Sequence, residues 1–263
     1  MSVRLEMSGH VAIVSLAAVE QRNALSRPLV AALLDALEDA RARSARALVL
    51  AGDGPAFCAG ADINDLLAAG WMEATPTGPT PTDVFEVLDR EPRVVVAAAT
   101  GAVLGGGFEL TLCCDLVIAG SDAMFGLPEL GHGVIPNTAM ALLGRLIGQR
   151  RALELVLTRR RVAAQEALAL GLVTAVVPTA SARDTAVALA QEIVSGAPPG
   201  AIAAAKRGLR HGVAVDWGEV RASLGRLPRR EWTEGLGAFR ARRRPDYEEF
   251  WREHAAAGPV SDL

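Results

Sequence analysis

The 263-residue sequence has few cysteines and no long apolar run, and both absences limit what the protein can be. Its three cysteines, Cys58, Cys113 and Cys114, are odd in number and stand in apolar surroundings. This favours reduced core thiols over disulfides or metal ligands. No run reaches the ~18 apolar residues that a membrane-spanning helix requires, and no early segment has the pattern of a signal peptide. We therefore expect a cytoplasmic protein that does not associate with a membrane.

An excess of basic charge and the common catalytic motifs are also absent. The net charge is −3 and aromatic residues make up 4%, so neither a basic surface nor an aromatic platform for nucleic acid is expected. The sequence contains no G-x-S-x-G, H-E-x-x-H, C-x-x-C or Walker A motif. The histidines, His10, His132, His211 and His254, are too scattered for a metal cage. We expect neither a bound metal nor a cofactor.

The composition itself is that of a globular protein with a large core. Hydrophobic residues make up 51% of the chain and charged residues 22%. A unit of strand, glycine-containing turn and helix occurs at residues 47–69 and again at 94–114, which favours an α/β spiral of ββα units. A break at residues 196–199 divides a core of residues 1–196 from a helical region, residues 197–263, whose apolar faces predict an oligomerisation surface.

Apolar periodicity predicts the individual elements. Strands are predicted at residues 3–7, 11–16, 47–51, 94–99, 116–119 and 173–177. Helices are predicted at residues 27–42, 63–69, 83–90, 138–147, 149–157, 163–170, 182–194, 200–211, 216–224 and 233–242. Ser26, Asp62 and Asn137 are predicted N-caps, and residues 70–82, rich in Pro, Thr and Gly, are predicted to form a mobile surface loop.

The most informative stretch is the junction at residues 97–130. A buried strand ends, Gly105, Gly106 and Gly107 follow, and Glu109 stands in the first turn of the next helix. Consecutive glycines let backbone N–H groups approach a ligand closely, and a carboxyl group beside them can act as an acid or base. Such a turn is also common in α/β proteins, where the acidic residue only complements the helix dipole. Both interpretations remain open from the junction alone.

Three further features accompany this junction. Glu129 follows Pro128 after the next strand, and His132 stands three residues later, either as a site residue or as an ordinary loop residue. The arginines at positions 240 and 242–244 either contact phosphates or form a solvated helix end. With no other chemistry in the sequence, acid–base catalysis by the two glutamates is what remains.

Seven segments in order resemble the enoyl-CoA hydratase/isomerase family, the crotonase superfamily, over nearly the whole chain. They are AFCAGADI at residues 56–63, GAVLGGGFEL at 101–110, CDL at 114–116, FGLPE at 125–129, RALELVLT at 151–158, EALALGLV at 166–173 and EGLGAF at 234–239. The resemblance implies a crotonase-like ββα spiral core with a C-terminal α-helical trimerisation region. It also implies an acyl-CoA substrate and a homotrimer or a dimer of trimers.

The resemblance assigns roles residue by residue. The backbone N–H groups of Ala61 and Gly106 form an oxyanion hole, Glu109 activates the attacking water, and Glu129 delivers a proton to Cα. Residues implied in substrate or CoA binding are Arg22, Ala24, Ala59, Gly60, Asp62, Ile63, Gly105, Gly107, Pro128, His132 and Pro136. The basic residues near Arg242–Arg244 are implied to approach phosphates, from this or a neighbouring subunit.

The predicted activity is 2-enoyl-CoA hydration, the addition of water across the trans-2 double bond. Double-bond isomerisation or another crotonase-type lyase or hydrolase reaction is the alternative, because isomerases of the family can work with the second glutamate alone. A non-catalytic relative that binds acyl-CoA or RNA is a distant alternative. Asn137, Thr138 and Met140 stand in a segment that is usually glycine-rich in hydratases, His132 replaces a residue that is often apolar, and Thr100 replaces a usual Asn. These departures bear on the acyl group and the reaction.

Overall fold

The computed structural model describes residues 2–68, 70–72, 76–210 and 215–250. Its strands form two sheets. The larger has the order β1-β2-β3-β5-β7-β10 and the smaller β4-β6-β8-β9. The strands are β1 Val3–Ser8, β2 Val11–Leu16, β3 Ala47–Gly52, β4 Ala56–Cys58, β5 Val94–Ala99, β6 Ala102–Leu104, β7 Leu116–Gly120, β8 Met124–Gly126, β9 Val162–Ala163 and β10 Ala175–Val177.

The strands alternate between the sheets in a repeated unit, and this makes the spiral. β3, β5 and β7 are parallel neighbours in the larger sheet, whereas β4, β6 and β8 are parallel neighbours in the smaller one. Each strand of the first set is followed directly by one of the second, and then by a helix or a 3₁₀ turn. The predicted ββα spiral is confirmed, and a third turn of it follows the two seen in the sequence.

The larger sheet is covered on both faces, as expected for parallel strands. Alternate side chains point to opposite faces, so Ala12, Val14 and Leu48 join the main core while Val11 and Val49 join a second cluster. Helix α1, Arg27–Ala42, covers the first face and helix α8, Ala182–Gly196, covers the second. Two-sided burial explains why these strands are apolar runs rather than alternating sequences.

The other helices follow the predicted pattern with small shifts at their ends. They are α2 Ile63–Ala68, α3 Pro81–Asp89, α4 Gly106–Leu112, α5 Asn137–Ile147, α6 Gln149–Thr158, α7 Ala164–Leu170, α9 Pro199–Arg210, α10 Trp217–Gly225 and α11 Arg229–Arg240. The Ser26 cap is confirmed, since its side chain accepts a hydrogen bond from the N–H of Leu29 at 3.4 Å. The Asp62 cap is confirmed by bonds from Asn64 and Asp65.

Two local predictions are wrong. Helix α5 begins at Asn137 itself, so Asn137 is not its N-cap. The residue before the helix is Pro136, and it provides no side-chain cap. The stretch at residues 70–82 is not wholly at the surface: Trp71 and Met72 are buried, and helix α3 begins at Pro81 behind a capping box of Thr80 and Asp83. Packing of large apolar side chains outweighs the turn-forming composition there. Residues 73–75 of this stretch and His211 lie outside the described residues.

The half-buried carboxylate of Asp115 is one of the groups that tie the helical region after residue 196 to the core. Asp115, at the entry of β7, accepts hydrogen bonds from Lys206 at 2.6 Å and Arg210 at 3.1 Å, both on α9. Its Oδ2 also accepts the N–H of Val95 at 2.8 Å. Helix α11 continues over the loop that carries Glu129. None of the helices described is long and apolar enough to cross a membrane.

Candidate active site

A cavity of about 540 Å³ opens where the first turn of α4, the 3₁₀ turn Glu129–His132 and helices α2, α3 and α11 meet. Most of the side chains around it are apolar. The predicted site residues that line it are Arg22, Ala59, Gly60, Ala61, Ile63, Gly105, Gly106, Glu109, Pro128, Glu129 and His132. The fold therefore brings together four parts of the chain that are far apart in the sequence, and it places both glutamates in the same cavity.

The two glycine-containing turns form one wall. A Cβ on Gly60 would lie 3.5 Å from the backbone nitrogen of Gly106, and a Cβ on Gly106 would lie 3.6 Å from that of Ala61. The N–H groups of Ala61 and Gly106 donate to no acceptor within the described parts of the chain, as expected for Gly106 at the start of a helix. Two adjacent backbone donors without partners are the elements of an oxyanion hole.

Glu109 is held firmly by the start of another helix. It is buried, and its Oε1 accepts hydrogen bonds from the N–H groups of Thr138 and Ala139, each at 2.9 Å. These are donors of the first turn of α5, which an N-cap side chain would otherwise satisfy. Glu109 thus replaces the predicted Asn137 cap. Asn137 donates from Nδ2 to the carbonyl of Val220 at 2.9 Å, and its Oδ1 shares the N–H of Thr138 at 3.1 Å.

Glu129 is packed against Gly105. Its Oε2 is buried and has no partner among the described residues. Its Oε1 lies so near Gly105 that a Cβ there would approach it to 2.7 Å. Gly105 also has a φ of +54° and a ψ of −125°, a conformation that strongly favours glycine. Any side chain at position 105 would therefore displace this carboxyl group.

Burial raises the pKa of both carboxyl groups, but to different extents. Desolvation raises the pKa of Glu109 to about 7. Its two backbone hydrogen bonds stabilise the ionised form and so offset part of the desolvation. The pKa of Glu129 rises to about 8, first by desolvation and then by the negative charge of Glu109. Such a pair favours one ionised and one protonated carboxyl group near neutral pH. The cavity can thus hold a base and an acid together.

His132 lies on the same loop, half-buried against helix α11. Its ring contacts that of Phe239 edge-on, with the centroids 4.7 Å apart. Burial, and then the nearby charge of Arg159, lower the pKa of His132. The imidazole is therefore neutral near pH 7. Its backbone carbonyl packs so closely on α11 that a Cβ at Gly235 would lie 2.1 Å from it.

The remaining predicted residues lie beside the cavity without lining it. Asp62 caps α2, and Pro136 precedes α5. Ala24 precedes Leu25, whose N–H donates to the carbonyl of Gly60 at 2.8 Å. A Cβ at Gly107 would lie 2.2 Å from the carbonyl of Cys58, so this glycine allows α4 to pack on β4. Among the C-terminal arginines, Arg243 forms an ion pair with Glu234 of the same chain at 2.6 Å.

Sequence reasoning missed most of the apolar wall and the support of Glu109. The wall includes Trp71, Phe85, Leu224, Leu236 and Phe239. They come from a stretch predicted to be loop, from the predicted helix at residues 83–90 and from helices predicted to serve oligomerisation. A Trp within a Pro- and Thr-rich segment was the available signal for burial. The donors to Glu109 are backbone groups, for which the side-chain sequence carries no signal. No group of three or more potential metal ligands occurs within the described ranges.

The family model for enoyl-CoA hydratase/isomerase matches residues 6–250. A short-chain-enoyl-CoA hydratase of Clostridium acetobutylicum is 35% identical over 218 residues, which are 82% of this chain and 83% of that protein. The crystal structure of an enoyl-CoA hydratase from Bacillus anthracis superimposes with a TM-score of 0.72 at 32% identity, over 94% of this chain and 99% of the other. The crystal structure of an enoyl-CoA hydratase/isomerase from Pseudoalteromonas atlantica superimposes with a TM-score of 0.80 at 29% identity, with the same coverage of both chains. The chain therefore belongs to the enoyl-CoA hydratase/isomerase family of the crotonase superfamily.

Proposed function

We propose that the protein is a 2-enoyl-CoA hydratase, which adds water across the trans-2 double bond of an acyl-CoA thioester. The observation that carries this proposal is the pair of buried carboxyl groups, Glu109 and Glu129, in one cavity with two backbone donors that have no acceptor among the described residues. A protein that only bound the thioester would gain nothing from two carboxyl groups with raised pKa values, because burying them costs free energy.

The backbone donors act on the thioester carbonyl. As water adds at Cβ, negative charge moves to the carbonyl oxygen, and the N–H groups of Ala61 and Gly106 stabilise that enolate. Both donors are fixed by the fold, since Gly106 begins α4 and Ala61 pairs as an isolated bridge with Leu25. Donors that need no reorganisation contribute most to transition-state stabilisation, and one such donor is typically worth ~10²–10³ in rate.

The two glutamates divide the proton transfers. Glu109 accepts two backbone hydrogen bonds that stabilise its ionised form, so it acts as the base and takes a proton from the water that attacks Cβ. Burial and the charge of Glu109 raise the pKa of Glu129, and its Oε2 has no partner among the described residues, so it acts as the acid that delivers a proton to Cα. The proton gained by Glu109 and the one lost by Glu129 balance over the reaction. Exchange with solvent resets the pair for the next turnover.

Double-bond isomerisation is the second candidate, and one observation favours it. The Oε2 of Glu129, which has no partner among the described residues, can serve alone as a proton shuttle between two carbons of an enolate, with Glu109 a structural cap of α5. The two reactions use the same oxyanion hole and differ in whether water is consumed. Product analysis therefore separates them.

We also propose that the protein is a homotrimer or a dimer of such trimers. Large apolar side chains are exposed on α5 and α6, namely Met140, Leu146, Leu153 and Leu157. This surface supports self-association, although it lies before the helical region to which sequence reasoning assigned that role. Sedimentation of the wild type against Leu153→Glu/Leu157→Glu tests the proposal, and a monomeric wild type contradicts it.

The test of activity is direct. Wild-type protein is mixed with crotonyl-CoA, loss of the conjugated enoyl-thioester absorbance is followed, and the product is identified by mass spectrometry. The hydratase proposal predicts a product heavier by one water. With a trans-3-enoyl-CoA as the second substrate, an isomerase gives the 2-enoyl isomer without change of mass. Absence of hydration with intact binding of crotonyl-CoA contradicts the proposal.

A further inference from the structure

The direction of the Ala61 N–H group depends on the carbonyl group of the same peptide bond. A trans peptide bond is planar, and its C=O and N–H groups point in opposite directions. The carbonyl oxygen of Gly60 accepts a hydrogen bond from the N–H of Leu25 at 2.8 Å. Leu25 is fully buried, whereas Gly60 and Ala61 line the cavity. The N–H of Ala61 therefore points away from Leu25, on the side of the cavity.

The Gly106 donor is oriented by its own helix. The carbonyl of Gly105 accepts the N–H of Glu109 at 3.0 Å within α4, so the N–H of Gly106 points away from the helix. The side chain of Leu25 lies against this second donor, because a Cβ on Gly106 would be 3.0 Å from Cδ1 of Leu25. Leu25 thus supports one donor through its backbone and packs on the other through its side chain.

Leu25 belongs to a short segment, residues 22–25, which we call the clamp segment. It pairs in parallel with the loop that follows β4. The N–H of Ala59 donates to the carbonyl of Arg22, and the N–H of Asp62 donates to the carbonyl of Leu25, each at 3.0 Å. These bonds lie on both sides of the first oxyanion donor, so a shift of the clamp segment would move that donor.

Asn23 anchors the clamp segment to the core. Its side chain is fully buried, and its Nδ2 donates to the carbonyl of Asp53 at 2.9 Å and to that of Ala56, in β4, at 2.8 Å. Arg22 and Asn23 also have positive φ angles, +52° and +56°. This left-handed conformation is uncommon for residues other than glycine, although Asn adopts it more readily than most. The amide of Asn23 therefore fixes an unusual backbone path.

We propose that Asn23 is a positioning residue of the oxyanion hole: its amide holds the clamp segment, and the clamp segment orients the N–H of Ala61 toward the thioester oxygen. Asn23 does not line the cavity, so it acts through Leu25 and not on the substrate. The inference rests on the proposed function, because it takes Ala61 as a donor to an acyl-CoA thioester. A merely structural Asn23 would contribute to stability alone.

Two substitutions at position 23 test the inference. Asn23→Gly removes both hydrogen bonds, and glycine adopts a positive φ without strain. Asn23→Asp keeps the shape of the side chain, but a carboxyl group donates at most one hydrogen bond. The matched control is Gln191→Ala, on α8, which removes a side-chain amide that donates to the carbonyl and the Oγ of Ser8. Thermal unfolding measures the loss of stability in all three variants.

Two further measurements separate positioning from stability. One is kcat and KM for hydration of crotonyl-CoA. The other is the absorption spectrum of bound 4-dimethylaminocinnamoyl-CoA, a conjugated thioester that absorbs at longer wavelength when hydrogen bonds polarise its carbonyl group. For both substitutions of Asn23 we expect kcat to fall by ~10²-fold, the effect of misplacing a group by about an ångström. KM should change little, and the spectral shift should be smaller than in the wild type. Gln191→Ala should keep the wild-type kcat and spectral shift.

Three results overturn the inference: a folded Asn23 variant keeps the wild-type spectral shift, KM rises while kcat is unchanged, or Gln191→Ala loses kcat to the same extent. If Asn23→Gly does not fold, Asn23→Asp decides by the same criteria. A wild type that hydrates crotonyl-CoA, with Asn23 variants that do so equally well, removes the inference and leaves the proposed function. A spectral shift that depends on Asn23 in a wild type without hydration does the reverse.

Discussion

Glu109 and Glu129 have the same side chain and line the same cavity, yet different contacts hold their carboxyl groups. Glu109 receives two backbone hydrogen bonds from the start of α5. Glu129 is confined by Gly105, and its Oε2 has no partner in the described part of the chain. Hydrogen bonds to the ionised form keep the pKa of Glu109 below that of Glu129. The different surroundings of the two carboxyl groups separate their pKa values, and the proposed division into one base and one acid rests on that separation.

Removing either carboxylate should have the largest effect. Glu109→Gln and Glu129→Gln each keep the side-chain shape, and the Gln amide oxygen at position 109 can still accept from Thr138 and Ala139. We expect each to lower kcat for hydration by ~10³-fold, within the range for losing a general acid or base. Steady-state rates with crotonyl-CoA measure this. A variant that retains more than a tenth of the wild-type rate would show that its glutamate is not a proton-transfer group.

Displacing Glu129 without changing it should have the next largest effect. In Gly105→Ala the new methyl group meets Oε1 of Glu129, which must move. We expect kcat to fall by ~10²-fold, the effect of misplacing a catalytic group by about an ångström.

Gly148→Ala is the matched control for backbone strain. Gly148 also has a positive φ, +81°, but a Cβ there has nothing within 4 Å. Both substitutions should cost a similar ~1–3 kcal/mol of stability, and only Gly105→Ala should lower kcat. Equal loss of kcat in the two variants would attribute the effect to general strain rather than to Glu129.

The pH dependence of the rate should report both pKa values. Hydration requires Glu109 ionised and Glu129 protonated, so kcat/KM should rise with pH to about 7 and fall above about 8. The two apparent values belong to the pair because the groups interact. The pH profile of kcat/KM, which reports the groups of the free enzyme, checks this. A flat profile across that window would contradict the assignment of both roles.

The smallest expected effect is on stability. Both folded-state pKa values lie above the value of 4.5 expected for an unfolded chain. The unfolded chain therefore loses these protons first as pH rises. The contribution of the pair to the free energy of unfolding is greatest below about pH 4.5 and declines up to about pH 8. Denaturant unfolding should show this decline in the wild type. The double variant Glu109→Gln/Glu129→Gln should show a smaller one, and an unchanged slope would contradict the raised pKa values.

The spiral, the two glycine-containing turns and both glutamates could be predicted from the sequence, because each depends on residue types within one short segment. Buried parallel strands leave apolar runs such as residues 94–99, and close backbone approach requires glycine at positions 105–107. The hydrogen bonds that distinguish the support of Glu109 from that of Glu129 could not be predicted. Thr138 and Ala139 contribute only backbone N–H groups, from a distant part of the chain. The Asn137 cap was wrong for the same reason: a tertiary partner took the place of a local one. The burial of Trp71 was not predicted because turn-forming residues surround it in the sequence.

The most direct test of the account is a double-mutant cycle on the two glutamates. If Glu109 and Glu129 act together on one water and one enolate, Glu109→Gln, Glu129→Gln and the double variant should hydrate crotonyl-CoA at nearly the same low rate. Once either member is lost, the other has no partner for the coupled proton transfers. Losses that multiply in the double variant would mean that the two carboxyl groups act independently, and would contradict the division into one base and one acid.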